Sequence, residues 1–258
     1  MKIVVLVKEV PDTYGDRKLN LETGLAERDA GDKVLDEIGE RALEVALSYA
    51  DANAGTEVVV VSMAPESAVT TVRKGLAMGA ASALQVVDPA LAGADLGLTA
   101  EVLAAAVKRV GFDLVITGNL STDGVGGVLP AMVAELLGVP QATALSSVQV
   151  GADSVSGTRL TDFGTAQVTA PLPAVISITD ALPDARFPNF KGIMAAKKKP
   201  FETVSLADLG VDAEDPAAAR SIMTAISEKP PRSAGTKIVD EGDAGTQLAE
   251  YLIANRLA

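Results

Sequence analysis

The sequence predicts an α/β fold: a doubly wound, mostly parallel sheet with a small antiparallel excursion and an extended C-terminal arm. Three observations carry this prediction. Apolar runs of strand length, KIVVLV (Lys2–Val7), EVVVVS (Glu57–Ser62), ALQVVD (Ala83–Asp88) and DLVITG (Asp113–Gly118), alternate with helical segments over short links. The runs are continuously apolar rather than alternating, as strands covered on both faces require. Of the 258 residues, 48% are hydrophobic and only 3% aromatic, so the core is built from Ala, Val, Leu and Ile.

Taken in order, the strand Lys2–Val7 is followed by a polar, glycine-bearing stretch from Pro11 to Asp32, which reads as a long loop with room for a short hairpin. Asp36 to Ala50 is the first helix, with Ile38, Ala42, Val45, Ala46 and Tyr49 recurring at helical spacing. The next crossover helices span Ser67 to Met78 and Leu96 to Val110, and a fourth runs from Gly124 to Leu137. From Ala142 the rhythm changes: ATALSSVQV, SVSGTRLTD and TAQVTA alternate apolar and polar residues between glycine-containing breaks, the pattern of antiparallel strands. LPAVISI (Leu172–Ile178) is a further buried strand able to return to the main sheet. Beyond Asp180 the pattern lapses, apart from a short helical candidate around Ile193–Lys198 and a final helix over Ala244–Asn255. The expected division is therefore an α/β domain over residues 1–180 and an arm over residues 181–258. The arm either wraps a partner or folds back on its own domain.

Composition excludes much chemistry. With no cysteine and no histidine, thiolate nucleophiles, Ser-His-Asp triads and Cys/His zinc sites are ruled out. A net charge of −12 argues against a nucleic-acid partner. Absence of cysteine, of a signal-peptide cleavage pattern and of any apolar run long enough to cross a bilayer leads to the expectation of a cytoplasmic protein. Neither G-x-x-x-x-G-K-[ST] nor a G-x-G-x-x-G after the first strand is present, so the common phosphate-binding fingerprints are missing. Glu40, Glu44 and Glu135 fall on helices and read as solvated, leaving no acid/base pair to assign as catalytic.

One stretch carries a candidate site. GNLSTDGVGG (Gly118–Gly127) lies between a strand and a helix and reads either as a tight turn or as a cradle for a phosphate. For the cradle, Gly124, Gly126 and Gly127 allow close approach to the main chain and free N–H groups meet an anion at a helix N-terminus. Ser121 and Thr122 add hydroxyls, and Asp123 is placed to cap the helix. In a strand order such as 3-2-1-4-5, this loop and Lys8–Gly15 both border the crevice where open α/β sheets bind ligands. Elsewhere, Lys197, Lys198 and Lys199 form either a docking patch or a helix C-terminus favoured by the dipole. Leu182, in a loop, is either an exposed anchor or a side chain tucked in.

Several blocks, in order, carry a resemblance. KIVVLVKEVPDT, VLDEIGERALEVAL, VRKGLAMGA, GNLSTDGVGGVLPAMVAELLGVPQ, LPAVISITD, FPNFKGIMAAKKKP and ADLGVD together resemble the beta-subunit family of electron transfer flavoproteins over essentially the whole length. The resemblance implies a heterodimer with an alpha subunit that holds most of the FAD. It implies electrons arriving from acyl-CoA and related dehydrogenases and leaving for a membrane quinone oxidoreductase, with no reaction catalysed by this chain itself. It further implies a structural AMP in this subunit, or, in electron-bifurcating relatives, a second FAD with NADH as donor. By the same matching the nucleotide meets Leu6 and Val7, then Asp36, Glu37, Ile38 and Gly39, then Met63. Gly118, Ser121 and Thr122 lead into the phosphate loop of Asp123, Gly124, Val125, Gly126, Gly127 and Val128. Thr13, Tyr14 and Ile38 are implied to approach the flavin. Leu182 matches the leucine that meets the dehydrogenase, with Pro183, Arg186, Phe187 and Lys197–Lys199 on the same recognition surface. Where many family members carry Gln, this sequence has Val128, and around Ala166 it lacks an acidic residue found near the flavin in some relatives.

Overall fold

The computed structural model describes residues 1–257. Its core is one sheet built from β1 (Lys2–Leu6), β4 (Glu57–Met63), β5 (Ser82–Val86), β6 (Leu114–Gly118), β7 (Gln141–Val150), β8 (Ser154–Thr161), β9 (Gly164–Pro171), β10 (Ala174–Ile178) and β11 (Phe201–Val204). The strands stand in the order β11-β5-β4-β1-β6-β10-β7-β8-β9. All neighbours from β11 to β7 are parallel, and β8 and β9 continue antiparallel as a meander. The central five strands thus have the 3-2-1-4-5 order, with the topological switch between β1 and β6. Two short strands, β2 (Glu9–Pro11) and β3 (Lys33–Leu35), pair antiparallel beside the sheet and bracket the long loop over residues 12–32.

Pleating divides the core into two layers. Ile3, Val5, Val60 and Ile116 point to the face covered by α1 (Glu37–Ala52) and α2 (Val69–Met78), where Leu43, Leu47 and Leu76 are buried. Val4, Val59, Val61 and Val115 point to the other face, against Val102, Leu103 and Val107 of α3 (Leu96–Val110) and Val133 of α4 (Leu129–Leu137). Continuous burial of Ile3–Leu6 explains why this strand shows no polar alternation.

Two sequence expectations differ from the structure. The helix expected from Gly124 begins at Leu129, with Val128 as N-cap and Pro130 in its first turn. Three glycines within four residues disfavour helical backbone, whereas Pro is pre-organised for a first turn. The second difference concerns residues after Asp180. They fold back: Phe201–Val204 pairs with Ala83–Val86 as the last strand of the sheet. The compact unit runs through Thr224, and residues 225–258 form a second unit. α5 (Phe190–Ala196) packs on α2, so closely at Gly192 that a Cβ there would stand 2.3 Å from the Ala77 carbonyl oxygen. Lys199 donates to the carbonyls of Leu76 (2.9 Å) and Ala80 (2.6 Å), closing the end of α2. FETV is too short for its periodicity to register in sequence, which is why these residues read as an arm. The short α6 (Leu206–Leu209) follows, held by a Ser205–Asp208 capping box. In the second unit, α7 (Ala244–Ala254) has no buried residue and exposes Leu248, Tyr251 and Ile253. No helix among the described residues is long and apolar enough to cross a membrane.

Candidate functional site

A cleft of about 1370 Å³ opens at the carboxyl ends of β1, β4 and β6, beside the switch point. Of the residues expected to meet a nucleotide, it gathers Leu6, Val7, Asp36, Gly39, Met63, Gly118, Ser121, Gly124, Gly126 and Gly127. Glu37 is exposed at the start of α1, outside the cleft lining. Ile38 is buried in the core against Gly118, where a Cβ would meet its Cγ2 at 2.9 Å. Thr122, Asp123, Val125 and Val128 belong to the loop without lining the cleft, and the two valines are exposed.

The loop after β6 takes its shape from buried carboxylates. Asp36 caps α1 through Oδ1, which accepts from the Ile38 N–H at 3.0 Å. Its Oδ2 accepts from both the backbone N–H (2.7 Å) and the hydroxyl (3.0 Å) of Thr122. One side chain thus ends the β3–α1 link and pins the glycine-rich loop across the switch point. Asp123 was expected to cap α4; instead its Oδ1 accepts from Lys8 Nζ (2.8 Å) and from the Gly124 N–H (2.7 Å). Its Oδ2 accepts from Arg28 at 2.9 Å. Burial pushes the Asp123 carboxyl up, but hydrogen bonds from Lys8, Ser121 and Arg28 outweigh it and hold the group well below the usual carboxylate range.

With both acids turned toward the protein, the rest of the loop is left to donate. The N–H groups of Gly126, Gly127 and Val128 find no acceptor among the described residues. Val125 (φ 52°) and Gly127 (φ 69°) are in the left-handed region, whereas Gly124 and Gly126 are not. Free consecutive N–H groups in such a turn form an anion-binding concavity. Asn119, on the cleft wall, has a buried Oδ1 without a donor. These groups fit a phosphate and a polar donor of a nucleotide. Sequence reasoning missed Asn119, and it missed Lys8 and Arg28 as the cations that Asp123 engages. Lys8 could have been found, because its segment was already placed at the crevice. Arg28 sits in a stretch without periodicity.

The recognition residues divide differently. Leu182 is half-buried and packs against the apolar core, the tucked-in arrangement of the two that its loop position allows. Arg186 is committed within the chain: its guanidinium donates to Glu44 Oε1 and Oε2 (both 2.8 Å) and lies 2.8 Å from Asp51, while its backbone N–H donates to Glu44. Burial raises the Glu44 carboxyl, yet the Arg186 hydrogen bonds bring it below its ordinary range. Arg41 adds an ion pair with Asp184 and donates to the Leu182 carbonyl. Glu40 and Glu44, expected to be solvated, are thus ion-paired, with Lys74 and Arg186. The exposed apolar side chains are Phe187 (91%) and Phe190 (79%), joined by Ile193 and Met194. Pro183, Lys197 and Lys198 are exposed, whereas Lys199 is drawn onto α2.

A family model described as electron transfer flavoprotein domain matches residues 23–209. The electron transfer flavoprotein subunit beta of Mycobacterium tuberculosis is 45% identical, over 99% of this chain and 98% of that protein. The corresponding Bacillus subtilis subunit is 30% identical over 98% of this chain and 96% of its own length. Subunit CarD of the caffeyl-CoA reductase-Etf complex of Acetobacterium woodii is 33% identical over 83% and 82%.

Replacing Asp36 with Ala removes a helix cap and both anchors of Thr122, and is expected to lower the unfolding free energy by about 2 kcal/mol in urea titrations. An unchanged midpoint would show that the loop is held by other contacts. Because Asp123 is depressed in the folded state, its contribution is present above the ordinary value of about 3.9 and lost only as pH falls through the lowered one. The deficit of Asp123→Asn relative to wild type is therefore expected to stay constant from about pH 8 to 5 and to shrink only below about pH 4. A deficit that disappears near neutrality would contradict the assignment.

Proposed function

The chain belongs to the electron transfer flavoprotein family, among its beta subunits, and from that premise we propose how it works: paired in the cytoplasm with an alpha subunit, it passes electrons from acyl-CoA and related dehydrogenases to a membrane quinone oxidoreductase, and it binds a structural AMP in the cleft. Its own part is binding and positioning rather than catalysis. The observation that carries the nucleotide reading is the set of free N–H groups at Gly126, Gly127 and Val128, at the mouth of a switch-point cleft. The phosphate sits on these donors, and Asn119 Oδ1 accepts from the base or ribose. Since only the folded chain forms the cleft, bound AMP stabilises the fold by linkage.

The flavin, held mainly by the alpha subunit, supplies the redox chemistry when bound. This chain helps enclose it through Thr13 and Tyr14; the Tyr14 ring is 98% exposed and has no role in its own core. The donor dehydrogenase docks on the apolar surface of Phe187, Phe190, Ile193 and Met194, flanked by Lys191, Lys197 and Lys198. An exposed aromatic centre with a cationic rim suits an apolar pocket with an acidic border.

A second reading places a second FAD in the cleft, with NADH as donor. Two observations favour it. The cleft exceeds the roughly 300–1,000 Å³ of an ordinary small-ligand pocket, and one relative belongs to a caffeyl-CoA reductase-Etf complex. The nucleotides released on denaturing the purified heterodimer decide between the two. One FAD and one AMP support the proposal, two FAD and no AMP support the second reading, and FAD alone removes any nucleotide from this cleft. For the docking surface, Phe190→Ala is expected to raise the apparent KM for reduction by a dehydrogenase about tenfold at unchanged nucleotide content. Unaltered kinetics would remove Phe190 from the interface.

A further inference from the structure

We propose that residues 12–32 form a strap that closes the cleft over its ligand, and that Asp123 is the positioning residue that latches it. This inference rests on the nucleotide reading of the cleft. The strap leaves the two-stranded pair of β2 and β3 and returns to it, so both its ends are fixed at one place. Between them it has a single internal bridge, Leu19 to Ala26, and a turn in which the Asn20 side chain accepts from the N–H groups of Glu22 and Thr23. Gly24 is its only buried residue, so no apolar core of its own holds it down. Even so, Asn20, Thr23, Leu25 and Ala26 line the cleft.

Its attachments are few and mostly polar. Arg28 reaches Asp123 at 2.9 Å, and Arg17 donates to the carbonyl of Thr122. From the end of β1, Lys8 completes the Asp123 cluster at 2.8 Å. At the opposite side, Gly24 abuts the Met223 side chain, in a segment fastened by the Ser221 N–H to Asp95 (2.6 Å) and by Arg220 to Glu101 (2.6 Å). The Asp123 side chain is 10% exposed, whereas Lys8 and Arg28 are 42% and 41% exposed. The carboxylate is thus sheltered and its cations are open to salt. The loop that carries the latch also carries the free N–H groups of residues 126–128, so strap position and phosphate cradle are set by the same turn. A segment tied down by a few solvent-reachable contacts opens locally while the sheet stays folded. Ligand release then waits on that opening.

The test uses the heterodimer with its alpha subunit, for wild type, Asp123→Asn and Arg28→Gln; the last changes an exposed strap residue and so keeps the test open if the first fails to fold. Hydrogen exchange over residues 12–32 and release of bound nucleotide into excess unlabelled AMP are measured together. Both variants are expected to speed nucleotide release by about three- to tenfold, and exchange in the strap by a similar factor over and above any change in β4. Wild-type release is expected to quicken between about 0.05 and 0.5 M NaCl, and Asp123→Asn to lose that dependence. Faster strap exchange with unchanged release overturns the closure, and unchanged strap exchange overturns the latch. A wild-type complex from which denaturation frees no nucleotide beyond the alpha-bound FAD refutes the nucleotide reading itself, a result separate from either, and removes the closure with it.

Discussion

The buried carboxylate of Asp36 is the contact on which the candidate site depends. Its two oxygens serve two segments far apart in the chain, the first turn of α1 and the loop after β6. Without it, the N–H and hydroxyl of Thr122 would have no acceptor there, and the loop would lose its register against β1. A short acceptor at 2% exposure is suited to this role: it satisfies three donors while occupying little space. Everything downstream inherits that placement, including the Asp123 cluster and the free donors at residues 126–128.

The architecture was legible in sequence because the buried strands announce themselves. Apolar runs within residues 2–7, 57–62 and 113–118 require cover on both faces, and helical periodicity between them supplies it. The switch point follows from strand order, so the position of the glycine-rich loop could be read before any coordinates. What could not be read were side-chain destinations. Asp123 looks like a helix cap by spacing alone, yet two cations more than ninety positions upstream, Lys8 after β1 and Arg28 in the long loop, claim it. Leu182 reads from its loop alone as either exposed or tucked in, and it packs on the core where Arg41 and Arg186 hold its segment against α1. Long-range pairings of this kind leave no local trace.

The same ion pairs separate the side chains that are held within the chain from those left exposed on α5 and the turn before it. With Arg186 spent on Glu44 and Asp51 and Lys199 on the end of α2, the cations left outward on this segment are Lys191, Lys197 and Lys198. Phe187 and Phe190 lie between these fixed points and stay exposed, while Gly192 brings α5 to the limit of backbone approach against α2.

The last strand of the sheet has a consequence for how the chain is made. β5, at residues 82–86, is paired on its outer edge only by β11, at residues 201–204. During synthesis from the N-terminus, β1, β4 and β5 emerge long before that cover, so an unpaired strand edge waits uncapped while the middle of the chain is still being translated. Such an edge is a template for pairing with a neighbouring nascent chain. Truncation before residue 201 would leave it permanently open, making the short FETV segment a guard against misassembly as well as a strand.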